Sequence, residues 1–284
     1  MEYEIKKVDY LNEIDLCDLN RLLQEVYPAS FNKFSIVNLK WSYLDNPLGR
    51  VISYNAFYNG DLVAHYACIP YCMMIQGRKV KGLLDINTAT HPQHRGKGLF
   101  VKLANATFEY AKDNGFEFII GVANANSIHG YLKYLNFQFI DNLDVKFGIG
   151  KKIYSNVKEK LYSTYWDQEL LNWRLKSPIY SKRGSFIYGK TNFLGISNVI
   201  GIKTIMGHFP KQMIDNIKVK CSINIIRPLN LYIGLGLNDT GFYFKIPSFI
   251  KRSPFNLIFR DLTGELPDIN RNNIFFQLID FDVA

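Results

Sequence analysis

Apolar side chains recur at helical spacing near the start of the chain. Leu16, Leu19, Leu23 and Val26, with Pro28 closing the segment, predict a helix over residues 11–27. A shorter helix is predicted over 37–44, ending before the turn Asn46-Pro47-Leu48-Gly49. The pattern then becomes β-like. Residues 51–58 and 62–70 flank Asn59-Gly60-Asp61, a hairpin-turn composition. Residues 71–80 form another run, ending at Gln76-Gly77-Arg78, and 81–90 a further strand. Strict alternation there sets Leu84, Ile86, Thr88 and Thr90 on one face and Asp85, Asn87 and Ala89 on the other.

Helical spacing returns over 98–114 with Leu99, Leu103, Ala106 and Tyr110, and Asn114-Gly115 supplies a C-terminal cap. Residues 116–122 are a short apolar strand, 126–135 a helix, and strand pattern resumes at Phe137. The alternation of strands and helices from 83 to 147 implies neighbouring parallel strands. After a polar segment at 150–160, a helix is predicted near 167–175. Short β runs follow at 186–188, 194–205, 221–227, 231–237, 241–246 and 274–280. The last reads as a terminal strand with Asp280 and Asp282 on one side, facing either solvent or a cleft. Leu39-Lys40-Trp41 before Asn46-Pro47 is echoed by Leu171-Asn172-Trp173 before Ser177-Pro178, which favours an internal duplication.

Composition narrows the class. The 284 residues are 48% hydrophobic, 15% aromatic and only 21% charged, which excludes a disordered chain and suits two domains. No apolar run reaches the ~18–20 residues of a membrane helix, and the N-terminus lacks the build of a signal peptide, so a cytoplasmic protein is expected. Cys17, Cys68, Cys72 and Cys221 form no metal-ligand spacing and read as reduced core thiols. The net charge of +9 lies wholly in residues 151–284. Residues 1–150 carry 15 basic and 15 acidic side chains, leaving 19 and 10 for the rest. Lys182 and Arg183, like Lys251 and Arg252, are pairs and not patches, so an anionic acceptor or plain solvation explains the excess better than nucleic acid.

The chemistry gathers where a strand meets the long helix, at Thr90-His91-Pro92-Gln93-His94-Arg95-Gly96-Lys97-Gly98-Leu99. Two glycines let the backbone curl and a ligand approach, and the amides opening the helix make an anion site beside Arg95 and Lys97. A pyrophosphate is the natural guest. The third glycine of a dinucleotide fingerprint and any G-x-x-x-x-G-K-[ST] loop are missing.

Gln93-His94-Arg95-Gly96-Lys97-Gly98 resembles the Q/R-x-x-G-x-G/A motif of the GCN5-related N-acetyltransferases, the GNAT family, with matching context over about residues 1–147. The resemblance implies an α/β fold, a mixed sheet flanked by helices. It places an acetyl-CoA-binding domain at 1–150 and a second, smaller acetyltransferase-like or β-rich lobe at 151–284. It implies acetyl-CoA as cosubstrate, held by Gln93, His94, Arg95, Gly96, Lys97, Gly98 and Leu99 at the pyrophosphate and by Ala89 and Thr90 along the pantetheine arm. Asn126 sits where the family places an Asn that bonds the pantetheine, and it suits a helix N-cap as well. Asn136 replaces the usual Gly before Phe137, and Asn tolerates the left-handed conformation.

Leu132 occupies the position of the family's Tyr acid, which leaves Tyr131 as the candidate to protonate the thiolate. Asp85 is the candidate base, with His91 behind it. The expected reaction is direct attack of a small-molecule primary amine on acetyl-CoA in a ternary complex. The Trp41…Asn46-Pro47 segment resembles members that act on surface-polysaccharide sugars, so an amino sugar or sugar nucleotide is the leading acceptor. An antibiotic or polyamine acetyltransferase, a non-catalytic acetyl-CoA sensor and a tRNA-dependent aminoacyl transferase are the rival readings. The oligomeric state has no signature in the sequence.

Overall fold

The computed structural model describes residues 2–149, 153–155, 160–178, 185–188, 193–199, 202–210, 212–213, 229–239, 242–247 and 254–281. Cys221, Asp282, the two basic pairs and the strand expected at 221–227 lie outside these residues. The chain divides into two compact units that interleave along the sequence. One holds residues 1–72, 80–139 and 258–267, the other 73–79, 140–257 and 268–284.

The first unit begins with strand β1 (Glu4–Lys7), antiparallel to β2 (Ile52–Tyr58). Between them lie helix α1 (Cys17–Val26), preceded by a 3-10 turn at Ile14–Leu16, and helix α2 (Ile36–Tyr43). Cys17 is exposed on the first turn of α1, so the core-thiol expectation fails there, while Cys68 and Cys72 are buried and unbridged. The strands expected at 62–70, 71–80 and 81–90 are in fact two long ones, β3 (Asp61–Ile75) and β4 (Arg78–Thr90). The turn between them is Gln76-Gly77, both at positive φ. Helix α3 (Leu99–Asp113) and strand β5 (Phe118–Ala123) follow, then helix α4 (Ile128–Tyr134) and strand β6 (Gln138–Asn142).

In this unit the strand order is β1-β2-β3-β4-β5, then the strand Asn256–Asp261, then β6. Short-range reading missed the penultimate strand, because its residues arrive from far along the chain. They are held by packing: Phe259 stacks on Phe118 with centroids 5.4 Å apart, and Leu262 N–H donates to the Glu117 carbonyl at 2.9 Å. The Arg260 guanidinium lies over the Phe108 ring and donates to the Leu135 carbonyl. Helix α3 buries Leu99, Leu103, Ala104, Phe108 and Ala111 against Ile52, Ala64, Tyr66, Leu83 and Ile119 of the sheet. Ala106 and Tyr110, expected in that stripe, lie at its margin.

Two local features of β4 position the site. The parallel register with β5 runs from Gly82↔Phe118 to Leu84↔Ile120, after which β4 continues for six residues and β5 for three. Asn87 has φ +52° inside the strand, a left-handed residue that breaks the alternation.

In the second unit the strand Asp144–Ile149 pairs antiparallel with both Leu229–Leu235 and Phe242–Lys245. Helix Gln168–Leu175 starts at Asp167, whose carboxylate accepts from Leu170 N–H at 2.9 Å, as the sequence suggested. The expected terminal strand ends early. Residues Ile274–Gln277 are strand, and Leu278–Asp280 turn into a 3-10 helix. Asp280 therefore faces neither solvent nor a cleft. It is fully buried and accepts from the Gln277 amide and from Trp166 Nε1–H (2.8 Å), and burial pushes its carboxyl up to about 6. Among the described residues no helix is long and apolar enough to cross a membrane.

Gly82 tests the β4–β5 packing. A Cβ there would sit 2.3 Å from the Phe118 ring, which is wholly buried and stacked on Phe259, so it has nowhere to go. Gly82→Ala should lower unfolding free energy by about 1–3 kcal/mol in urea titrations. Unchanged stability would contradict the close packing.

Candidate active site

Past the last β4–β5 pair, Asp85 of β4 lies across from Gly121 of β5. A Cβ on Gly121 would stand 3.2 Å from the Asp85 Cβ, so the glycine makes the room. Tyr66 O–H of β3 donates to Asp85 Oδ2 at 2.8 Å, and Thr88 O–H donates to Oδ1 at 3.4 Å. Tyr131 of α4 lies close by, its hydroxyl 3.5 Å from that of Thr88, and its nearness favours the charged carboxylate. Thr88 shares Asp85's face because of the left-handed Asn87. Strict alternation assigned Asn87 to that face instead, and the bulge sends its amide to the Tyr43 hydroxyl (3.2 Å).

The electrostatics follow from enclosure. Burial pushes the Asp85 carboxyl up to about 6 against the neighbouring hydroxyls that favour its charge, although part of the residue still reaches solvent. Burial, then the neighbouring Asp85 charge, holds the Tyr66 and Tyr131 phenols well above their ordinary value. Tyr131 is wedged edge-on between Phe100 and Phe137, each 5.1 Å away by ring centroid, while Leu132 and Tyr134 are exposed. Of the three neighbours on this helix, Tyr131 is the one that turns inward. Tyr66 and Thr88 went unrecognised in the sequence, because Tyr66 sits in a continuous apolar run and Thr88 was assigned to the other face.

The loop after β4 has a shape of its own. His91 starts a 3-10 turn, Pro92–His94, and its ring accepts from Gln93 N–H at 3.4 Å. His91 Nε2 is 3.7 Å from the Glu25 carboxylate, and His94 Nδ1 is 3.0 Å from the Tyr3 hydroxyl. Arg95 folds back so that Nε–H donates to the Thr90 carbonyl at 3.3 Å. Gly96 (φ +71°) and Gly98 (φ +72°) are left-handed, and a Cβ on either would meet nothing within 4 Å. Protein packing therefore does not demand glycine there, while open space above the loop is what a bound group needs. The first helical hydrogen bond runs from Lys102 N–H to the Gly98 carbonyl at 3.1 Å. Among the described residues, the amides from Gly96 to Val101 donate to no backbone carbonyl, which leaves a row of donors at the head of a 15-residue helix. Lys97 is exposed beside them, Leu99 is buried, and Ala89 is buried in the strand that leads in. The donor set fits a pyrophosphate.

Asn126 differs from expectation. It is exposed and caps nothing. Asn124 Oδ1 instead accepts from Asn126 N–H (2.9 Å) and Ser127 N–H (3.0 Å), closing the turn into α4. Asn136 adopts φ +50°, as its place in the turn predicted.

The family model for the acetyltransferase (GNAT) domain matches residues 7–135. Residues 7–135 are a GNAT acetyltransferase domain. Solved structures show that the fold extends beyond the match. A conserved protein from Enterococcus faecalis V583, described as a probable N-acyltransferase, superposes with TM-score 0.62 at 10% identity, covering 92% of this chain and 73% of its own. A GCN5-related N-acetyltransferase from Anabaena variabilis gives 0.60 at 9% identity, with 93% and 74% covered. Eis1 from Mycobacterium abscessus gives 0.58 at 10%, also with 93% and 74%. The likeness is one of fold: a mixed sheet flanked by helices, with the further β-rich region included. No curated protein sequence matches the chain. Within the GNAT domain lie the loop, the β4 bulge and the Asp85 cluster alike.

The raised Asp85 carboxyl has a measurable sign. The native state holds this proton at pH values where an unfolded chain, with an ordinary carboxyl near 3.8, has lost it. Asp85 therefore subtracts stability as pH rises from about 4 to about 6. Asp85→Asn should lose less stability than the wild type over that window in denaturant titrations. Parallel curves would show that Asp85 titrates normally.

Proposed function

We propose that this protein transfers the acetyl group of acetyl-CoA to a primary amine by direct attack within a ternary complex. The observation that carries the reading is the pairing of two features on one strand. The left-handed glycine loop with its row of unused amides follows the end of β4, and a few residues before it on the same strand lies Asp85, enclosed beside Tyr131 of α4.

The amides from Arg95 to Leu99, with Lys97 beside them, would hold the pyrophosphate. Gln93 and His94 shape the turn that presents those amides, and Ala89 and Thr90 offer backbone to the pantetheine arm. When bound, acetyl-CoA supplies a thioester carbonyl as the acyl donor. Asp85, ionised above about pH 6, accepts the proton that an ammonium must lose before its nitrogen can attack. Tyr131, held protonated by burial, donates a proton to the sulfur as the carbon–sulfur bond breaks and the amide forms. Asn126 has no duty in the fold that conflicts with bonding the pantetheine.

We assign the acetyl-CoA lobe, expected at residues 1–150, to the unit of residues 1–72, 80–139 and 258–267, and a lobe whose sequence has no second glycine loop of this type to the other unit. An amino sugar is the acceptor to try first, on the resemblance of the Trp41…Asn46-Pro47 segment. That segment itself serves packing: Trp41 is buried, and Asn46 donates to the Pro70 carbonyl at 3.0 Å. One observation favours a second reading, an acetyl-CoA sensor without turnover. The Tyr66 and Thr88 hydroxyls already donate to the Asp85 carboxylate.

Gly96→Val separates binding from folding. A Cβ at this position meets no protein atom within 4 Å, so thermal stability should fall mainly by the cost of a left-handed β-branched residue, while the side chain enters the proposed phosphate space. Calorimetry should show acetyl-CoA affinity reduced by about tenfold or more, the loss of one or two charge-assisted hydrogen bonds. Retained affinity would move the phosphate off this loop. Thiol release across an amine panel then tests chemistry. Asp85→Asn should cost about 10²-fold or more in turnover, and full binding without turnover in the wild type would favour the sensor.

A further inference from the structure

Beneath the bulge lies a buried polar chain that the proposed chemistry does not use. Tyr10 accepts from Asn55 Nδ2–H at 3.0 Å, and Asn55 Oδ1 lies 2.6 Å from His65 Nδ1. His65 Nε2 is 2.9 Å from the Tyr43 hydroxyl, and that hydroxyl accepts from Asn87 Nδ2–H at 3.2 Å. Asn55, His65, Tyr43 and Tyr10 are all buried.

The donor and acceptor roles are fixed by the bonding itself. Asn55 Oδ1 can only accept, so the neutral His65 ring donates to it from Nδ1 and leaves Nε2 to accept from the Tyr43 hydroxyl, whose oxygen accepts in turn from Asn87 Nδ2–H. Burial holds this imidazole neutral, with its pKa pushed down to about 3.

The far end of the chain is at a strained place in β4. The other non-glycine residues with positive φ are Asn59 and Gln76 in hairpin turns and Asn136 after a helix. Asn87 alone among the described residues takes that conformation in the middle of a strand, where a residue with a Cβ pays a penalty. Its side chain is the handle by which α2, β2 and β3 hold it.

We propose that the Tyr10–Asn55–His65–Tyr43 chain is a positioning device that fixes Asn87 in the left-handed conformation and thereby sets Thr88 against Asp85 and Tyr131. These four residues, and Asn87 with them, touch no substrate. They act through the backbone of β4. The inference rests on the acetyltransferase reading for its kinetic consequence but not for its structural one.

The test compares Asn87→Gly, Asn87→Ala and Tyr43→Phe, with Tyr43→Phe repeated in the Asn87→Gly background. Glycine keeps the left-handed option without a handle, and alanine loses both. Asn87→Ala and Tyr43→Phe should each lower turnover by about tenfold, the left-handed penalty expressed as a rate, with acetyl-CoA affinity within about twofold of wild type. Asn87→Gly should lose less, and Tyr43→Phe should cost little more once residue 87 is glycine. Equal losses from Tyr43→Phe in both backgrounds, or no loss in either, would overturn the proposal.

The backbone is read separately, by NMR couplings at residue 87, which need no activity. A left-handed residue in the wild type that is displaced in Tyr43→Phe supports the device. An unchanged backbone in Tyr43→Phe overturns it, whether or not acetyl transfer is detected. A wild type that transfers acetyl to no amine would sink the functional reading alone.

Discussion

The site depends on one departure from regular structure, the left-handed residue Asn87 within β4. A strand alternates its side chains, so residues 85 and 88 should point apart. One irregular residue between them brings both to the same side, where the Thr88 hydroxyl reaches the Asp85 carboxylate. The β4–β5 register ends just before this point, and Gly121 leaves Asp85 the space it occupies. Helix α4 then needs only to present Tyr131. The register end, the bulge and the small residue form one construction.

Two kinds of chemistry are kept apart along that strand. The proposed anion binding would use the backbone, through left-handed glycines and amides with no carbonyl to serve. The proposed proton handling would use side chains in an enclosed cluster, where burial raises a carboxyl toward neutrality and keeps two phenols protonated. This separation bears on the charge of the chain. The half that holds the loop is neutral overall, and the whole excess of +9 belongs to residues 151–284. On the proposed reading local donors suffice for a phosphate, and the basic half is not needed for it.

The loop and its helix were legible because glycine spacing and helical periodicity act over a few residues. Asn136 was legible for the same reason. Asp85 was chosen from the strand before the loop and Tyr131 as a neighbour of Leu132, which holds the family's Tyr position, and the structure brings the two together. What escaped was non-local. Nothing in the sequence marks Asn87 as left-handed, so alternation put Thr88 on the wrong face. Tyr66 looked like any aromatic in an apolar strand, and its role depends on what β4 places opposite. The strand Asn256–Asp261 was unreadable as part of the first unit, because over a hundred residues separate it from β6, whereas adjacent strands are usually near in sequence. Asp280 was misread for a simpler reason: a strand pattern does not reveal the 3-10 turn that buries its last residue.

A structure of the protein with CoA bound tests the central claim most directly. The account predicts the pyrophosphate on the amides of Gly96 to Leu99, the pantetheine along Ala89 and Thr90, and the sulfur within about 4 Å of the Tyr131 hydroxyl. A pyrophosphate seated elsewhere, or a sulfur out of reach of both Tyr131 and Asp85, would contradict it.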